Sequence, residues 1–369
     1  MGEPRPANVG GIEAGLSEMW RSAAGAGKQS AVTRASALTI LVYVDDEAGA
    51  REVSNLMAEI TEQNPCRAII MLIEPDASPG ELTAAISAHC HIPAAEDKQI
   101  CSEQITLRAR SEMGPELASV VLPLTISGLP ILFWWRAGSF GTPPWLDPIL
   151  RVTDHLIVDS GRFPTPRNGL ATLAAWLSET SGRVGVSDLN WGRATPWRDV
   201  LAQCFDSPDR RPYLDRISSV RIEYDMESPR LIAQRAVGLL LGAWLATRLG
   251  WDFQRVEQHA PDLPRTYYFR SGQREIKFDR VLRRTESAGR GNWFSIFIEG
   301  GGGRFSFTRG ADGTTAQILS EVPGAPPLAR AVRLAFLEET EILNEELKLA
   351  RRDPVYETTM GMVARMTGA

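Results

Sequence analysis

Leu38-Thr39-Ile40-Leu41-Val42-Tyr43-Val44 is an almost uninterrupted apolar run, ended by the acidic pair Asp45-Asp46. A short run of this composition with polar residues at its end is the pattern of a strand buried on both faces. Residues 47–63 then place Val53, Leu56, Met57 and Ile60 on one helical face, and Asn64-Pro65 breaks the helix. Arg67 to Ile73 repeats the buried-strand pattern and Glu74-Pro75-Asp76 ends it. A strand, a helix and a second buried strand in this order imply a parallel sheet.

The same alternation continues outward. Residues 79–90 predict a short helix, and Gln99 to Arg108, with Ile100, Cys101, Ile105 and Leu107 alternating, predicts a strand near an edge. A helix over 112–122, a strand over Ile131–Trp135, a short helix over Trp145–Leu150, a strand over His155–Val158 and a helix over Asn168–Thr180 follow. Residues 1–36 are rich in Gly, Ala and Pro and predict poor order, with one short helix around Ile12–Ala23. The expected fold is therefore α/β, with a mostly parallel three-layer sheet domain over 37–187.

The pattern changes after a connecting segment, 188–210, that predicts a loop and then a helix over Pro196–Phe205, with Thr195 as its N-cap. Residues 211–350 predict a smaller α+β domain. It has a strand over Ile217–Tyr224, a long apolar helix from Ser228-Pro229 to about Leu249, and a meander of antiparallel strands over 252–258, 265–271, 274–283, 292–299, 303–309 and 314–320. Gly300-Gly301-Gly302-Gly303 joins two of these as a hairpin turn. A final amphipathic helix spans about 325–350, and 351–369 reads as a tail.

Composition narrows the function. The 369 residues suit two domains, and the net charge of −5 argues against nucleic acid as a general partner. Leu117 to Trp135 carries no formal charge, but Pro123, Gly128 and Pro130 make it a helix end, a turn and a buried strand rather than a membrane span. The start lacks a secretory signal, so a cytoplasmic protein with Cys66, Cys90, Cys101 and Cys204 reduced is expected.

Several motifs invite chemistry without completing it. Gly25-Ala26-Gly27-Lys28 has Ser22 where a phosphate loop needs its first Gly and Gln29 where it needs Ser or Thr. His89-Cys90-His91 has no further ligand pair to complete a zinc site. Cys66 and Cys101 fall in neighbouring strand candidates and read as two inert buried thiols, with a redox pair as the alternative. His89, His91, His155 and His259 are the available neutral-pH proton shuttles, and none adjoins a nucleophile elbow. Asp45, Asp46 and Asp159 stand where α/β sheets place ligands, at the carboxyl edge, but no G-x-G-x-x-G follows the first strand. Residues 265–310 carry ten Arg or Lys (Arg265, Arg270, Arg274, Lys277, Arg280, Arg283, Arg284, Arg290, Arg304, Arg309) against Glu275, Asp279, Glu286 and Glu299. The expected partners for this basic set are Glu338, Glu339, Glu341, Glu345 and Glu346 of the last helix. No motif calls for a cofactor or a metal.

The most chemically loaded stretch is Asp188-Leu-Asn-Trp-Gly-Arg-Ala-Thr-Pro-Trp-Arg-Asp-Val200. Trp and Arg dominate the energetic centres of protein interfaces. Trp191, Arg193, Trp197 and Arg198 therefore read as an exposed docking handle, or else as domain-seam packing. Trp135 and Arg136 form a second candidate contact, beside Trp134, which reads as core.

That segment, with LPILFWWRAG (129–138), DHLIVDS (154–160), CSEQITL (101–107) and LLLGAWLATRLGW (239–251), resembles the OpcA family, the glucose-6-phosphate dehydrogenase assembly proteins of bacteria. The motifs fall in family order from about 38 to 320. One departure is Ser127-Gly128 before Leu129-Pro130, where many relatives carry an acidic residue. The resemblance implies a non-catalytic partner that favours the active oligomer of the dehydrogenase in the oxidative pentose phosphate pathway. The rival reading is a metabolite-binding protein or enzyme that takes a sugar phosphate at the sheet edge around Asp45, Asp46 and Asp159.

Overall fold

The computed structural model describes residues 5–7, 9–26, 32–74, 82–91, 99–110, 114–180, 182–226, 228, 230–258, 265–283, 294–335, 337–349 and 352–369. Lys28, Pro75, Asp76, Pro229, His259, Arg284, Glu286 and Arg290 lie outside them. The chain forms two compact units, neither contiguous in sequence. The first takes Met1–Asp159, Arg183–Ser187 and Glu338–Arg352, and the second Ser160–Gly182, Asp188–Leu337 and Asp353–Ala369. The sequence suggested uninterrupted blocks instead.

The first unit contains β1 (Arg5–Ala7), α1 (Ile12–Ala26), β2 (Val32–Arg34), β3 (Leu38–Val44), α2 (Glu47–Gln63), β4 (Cys66–Glu74), β5 (Thr83–His91), β6 (Gln99–Arg110), α3 (Gly114–Val121), β7 (Ile131–Trp135), α4 (Leu146–Leu150) and β8 (His155–Val158). After an excursion into the second unit through α5 (Pro166–Thr180), it regains β9, which runs Gly185–Asp188 and ends at the unit boundary, and later α9 (Glu339–Leu349). The strand order is β1-β5-β6-β4-β3-β7-β8-β9, with β2 also on β6. From β6 to β8 every pairing is parallel, with Leu41 opposite Ile69 on one side and Phe133 on the other. All of β3 except Tyr43 is buried, as its apolar run requires. Helix α2 covers β3, β4 and β5 with Val53, Met57 and Ile60.

Three expectations fail here for identifiable reasons. Residues 83–91 are a strand: Thr-Ala-Ala-Ile-Ser-Ala is compatible with helix, but pairing with β6 overrides local preference. That pairing puts β6 inside the sheet, not near its edge. It also sets Cys90 directly opposite Cys101, and the two are joined by a disulfide, leaving Cys66 and Cys204 as buried free thiols. His89-Cys90-His91 is thereby spent on a strand, a disulfide and a hydrogen bond from His89 to Gln104 of 2.8 Å. The short helix expected around Ile12–Ala23 is present as α1: its Ile12 and Leu16 are buried, and Trp20 donates to Glu103, a fully buried carboxylate that also accepts from Arg34 and Arg67.

The second unit contains α5, α6 (Leu189–Arg193), α7 (Thr195–Cys204), β10 (Ser219–Asp225), α8 (Leu231–Arg248), β11 (Asp252–Gln258), β12 (Arg265–Ser271), β13 (Arg274–Arg283), β14 (Phe294–Gly300), β15 (Gly303–Arg309), β16 (Thr315–Glu321), β17 (Leu328–Arg333) and α10 (Pro354–Thr367). Its eight strands run β11-β12-β13-β10-β14-β15-β16-β17, all antiparallel except β10 against β13. Helix α8 is apolar nearly all round, and accordingly it is buried nearly all round, packing with β10, α5 and α10. Gly301 and Gly302 have φ of 59° and 82°, the paired left-handed residues of a tight hairpin. This unit is not the smaller of the two. The expected helix over 325–350 divides into β17 and α9, and the expected tail is α10, which buries Tyr356, Met360 and Val363. Asp353 caps α10 and Pro354 opens it. Among the described residues, three of the basic set pair with acids of their own sheet: Lys277 with Asp279, Arg283 with Glu223 and Arg304 with Glu321.

Candidate functional site

The segment 188–200 folds locally as two short helices. Asp188 caps α6 by accepting from the Asn190 amide at 2.9 Å, and it also accepts from the Ser160 amide at 2.9 Å. The residue before α7 is Ala194, so Thr195 is not its cap; the Thr195 hydroxyl accepts from Arg198 at 2.6 Å instead. Helix α7 starts at Thr195 because Pro196 fits a first turn, where no amide donor is needed.

Both indoles are buried. Trp191 is 5% exposed and Trp197 3%. The Trp191 Nε1–H donates to Asp353 at 2.8 Å, and the Arg198 guanidinium lies over its ring. Burial pulls the Arg198 guanidinium down to about 10, against the opposing charges of Asp353 and Asp199. Trp197 packs on Phe294 with centroids 4.8 Å apart, and the Arg309 guanidinium lies 5.5 Å from its ring. The expected exposed indole handle is therefore absent from this segment: large rings on short helices are drawn under the surface by the apolar area they carry. Arg193 remains partly exposed and, with Asn190 and Trp197, lines a cleft completed by Arg230, Gln234 and Arg309.

The parallel strands of the first unit bring Asp45, Asp46, Arg136 and Asp159 to one sheet edge, each just past the end of β3, β7 or β8. These groups have structural occupations. Asp46 caps α2 through the Gly49 amide, and Asp45 accepts from the Gly138 amide at 3.3 Å. Arg136 is buried between Glu52, at 3.0 Å, and Glu339, at 3.3 Å. Trp135 is buried as well, stacked on Trp145 with Tyr43 edge-on to both. Asp159 is buried.

Sequence reasoning missed a polar relay in the same unit. His155 Nε2 lies 2.7 Å from the Ser187 hydroxyl, which donates to Glu346. Because that hydroxyl spends its proton on Glu346, it accepts from Nε2–H, which fixes the imidazole tautomer. Burial pushes His155 down to about 4, so the ring is neutral. His155 stands in the DHLIVDS motif, but Ser187 and Glu346 are remote in sequence and no spacing rule links them. Among the described residues no group of three or more His, Cys, Asp or Glu is placed to hold a metal ion. Also among them, no helix is long and apolar enough to cross a membrane.

Comparison with known proteins begins with the fold. An oxidoreductase structure from Parabacteroides merdae superposes over 90% of this chain and 96% of its own, with a TM-score of 0.53 and 8% identity. A levoglucosan dehydrogenase structure covers 90% and 97% at a TM-score of 0.49. The first shows a shared oxidoreductase-like fold and nothing of activity. Two family models then match in order, the glucose-6-phosphate dehydrogenase subunit N-terminal domain over residues 57–175 and its C-terminal domain over 184–360. The chain belongs to this family, OpcA. Relatives named OxPP cycle protein OpcA include one from Synechocystis sp., 31% identical over 54% of this chain and 40% of the relative. Another, from Nostoc punctiforme, is 31% identical over 59% and 46%. The match spans less than half the length of these curated relatives.

Proposed function

We propose that the chain is a non-catalytic assembly factor that binds glucose-6-phosphate dehydrogenase and favours its active oligomer in the oxidative pentose phosphate pathway, in the cytoplasm. The observation that carries this reading is the ordered match of both dehydrogenase-subunit models across 57–360. A non-catalytic role gains support from the end of β3. An oxidoreductase of this architecture would set a pyrophosphate against the first amides of the following helix. Here Asp46 takes the Gly49 amide, and Asp45 and Glu47 add negative charge.

A binding partner shifts an enzyme toward activity only by the difference in its affinity for the active and inactive forms. A coupling of ~1–3 kcal/mol would change the dehydrogenase's apparent substrate affinity ~5–150-fold. The accessible contact in segment 188–200 is made by Arg193 and Arg198, with Trp191 and Trp197 shaping that surface from beneath. Trp135 and Arg136 have the same supporting part at the second candidate contact.

The test mixes the purified chain with the dehydrogenase from the same organism. Analytical ultracentrifugation should show a complex and a shift toward the larger dehydrogenase oligomer, and NADP reduction should rise. No complex and no change in rate at micromolar concentrations of both proteins would reject the proposal.

A further inference from the structure

Around the start of β12, the second unit gathers four arginines and no acid. Arg265 opens β12 and Arg280 lies in β13. The antiparallel register that sets Thr266 opposite Asp279 and Tyr267 opposite Phe278 carries Arg265 beside Arg280, on the same face of the sheet. Arg235 belongs to α8, and its carbonyl accepts from Arg280 at 3.2 Å. Arg167 belongs to α5 and donates to the Thr367 carbonyl at 2.6 Å. Burial first, and then the charges of Arg167, Arg280 and Arg235, hold the Arg265 guanidinium below its usual pKa.

The fold leaves this charge without a counterpart. Among the described residues no carboxylate pairs with Arg167, Arg235, Arg265 or Arg280. Arg280 is buried and donates to the Arg235 carbonyl and the Tyr267 hydroxyl, while its Nε has no acceptor. Like charges placed side by side on neighbouring strands destabilise a sheet. Elsewhere in the same sheet Lys277, Arg283 and Arg304 each have an acid beside them.

The arginine set opens to solvent. Arg235 is exposed, and Arg265 and Arg167 are half-buried. Ile232 stands three residues before Arg235, hence on the same side of α8, and is 42% exposed. That side is turned away from Ala233, Gln234 and Val237, which line the cleft of Arg193 and Arg309. Small hydrated anions would screen the guanidinium groups and leave Ile232 in water. A polypeptide that carries carboxylates beside an apolar side chain satisfies both, since arginine takes carboxylates through paired hydrogen bonds and arginine with apolar anchors makes a protein contact.

We propose that Arg167, Arg235 and Arg265, with the buried charge of Arg280 behind them, dock an acidic segment of a protein partner. Its carboxylates pair with the guanidinium groups, and a neighbouring apolar side chain covers Ile232. The contact rests on the assembly reading and deepens it: the acidic segment belongs to the dehydrogenase. It is made by α5, α8 and β12, not by segment 188–200.

The test measures affinity of the full chain for the dehydrogenase of the same organism, at about 50 mM and about 300 mM potassium chloride, where screening differs. Arg235→Gln and Arg265→Gln should each weaken binding about tenfold, as loss of a charge-assisted contact requires. Arg235→Lys, which keeps the charge without the planar fork, should lose less than Arg235→Gln. The parent complex should weaken with salt more steeply than that of the double Gln variant. Alone, Arg235→Gln should melt no lower than the parent, because it removes a like charge and breaks no ion pair. Unchanged affinity in both Gln variants overturns the contact and leaves the assembly reading standing. A lower melting temperature for Arg235→Gln overturns it too, by giving that guanidinium an internal partner. If the parent chain forms no complex, both readings fail together.

Discussion

The Arg198 guanidinium sits 3.4 Å from the centroid of the Trp191 ring, a cation stacked on the face of a buried indole. The same indole donates to Asp353, whose carboxylate also accepts from the Val355 and Tyr356 amides. One side chain in α6 therefore ties together the stacked arginine and the start of α10. Trp191→Ala should lower the unfolding free energy by ~3–5 kcal/mol in urea titrations, as for other buried aromatics. Trp191→Phe, which keeps a ring but takes the indole donor from Asp353, should cost ~1–3 kcal/mol. Equal stability of both variants and the parent would show that the stack contributes nothing.

Acid should weaken the fold through His155. Its imidazole titrates at about 4 when folded against 6.5 ordinarily, so between these values the unfolded chain holds more protons. Its contribution is complete above pH 6.5 and is lost as pH falls through about 4, amounting to ~3 kcal/mol. The cause is burial: the ring is enclosed, Nδ1 has no partner among the described residues, and a Cβ at Gly185 would fall 2.5 Å from it. Urea unfolding at pH 7 and pH 4.5 should show a smaller acid loss for His155→Asn than for the parent chain. An identical acid loss in both would assign the effect elsewhere.

The same Gly→Ala change should have opposite signs in two helices. In α8, a Cβ at Gly242 would lie 2.3 Å from the Phe278 ring, so Gly242→Ala should destabilise by ~1–3 kcal/mol through overpacking. In α10, a Cβ at Gly361 meets nothing within 4 Å, so Gly361→Ala should stabilise by ~0.5–1 kcal/mol through helix propensity. Thermal melts of the two variants decide it, and a shared direction of shift contradicts the packing described for α8.

Glu103 is the shared acceptor of Arg34, Arg67 and Trp20 and is fully buried. Removing it strands the buried Arg67 with only Glu13 and the Leu124 carbonyl. Glu103→Ala should therefore cost ~3–5 kcal/mol, the usual result of breaking a buried pair from one side. A loss below ~1 kcal/mol in denaturant titration would mean that Arg67 re-pairs without strain.

Much of the fold was legible because its signals are local. The strands of the second sheet other than β17 lie close to their expected bounds, since alternation and turn residues mark each one. Residues 83–91 were misread because an Ala-rich segment declares itself a strand only through its pairing with β6. Helix α10 was legible and overlooked: Asp353-Pro354 before an apolar repeat is a helix start. The Arg193–Arg230–Arg309 cleft could not be read from sequence at all, because its members are separated by dozens of residues and meet only through α6, α8 and β15. Composition singles out the Trp/Arg segment but does not distinguish an indole facing solvent from one beneath it, and both indoles are buried.

The interleaved chain path has a consequence for genetic dissection. Each unit needs a piece of polypeptide that is synthesised after part of the other. No single stop codon or cleavage point can release either as an intact fragment: stopping at 187 deprives the first of Glu338–Arg352, and stopping at 352 deprives the second of α10. On the ribosome the first unit cannot finish before Glu338–Arg352 has been made, nor the second before Asp353–Ala369, so α2 waits for α9 and α8 for α10. Isolating one unit therefore calls for joining its three separate segments through linkers rather than for a truncation.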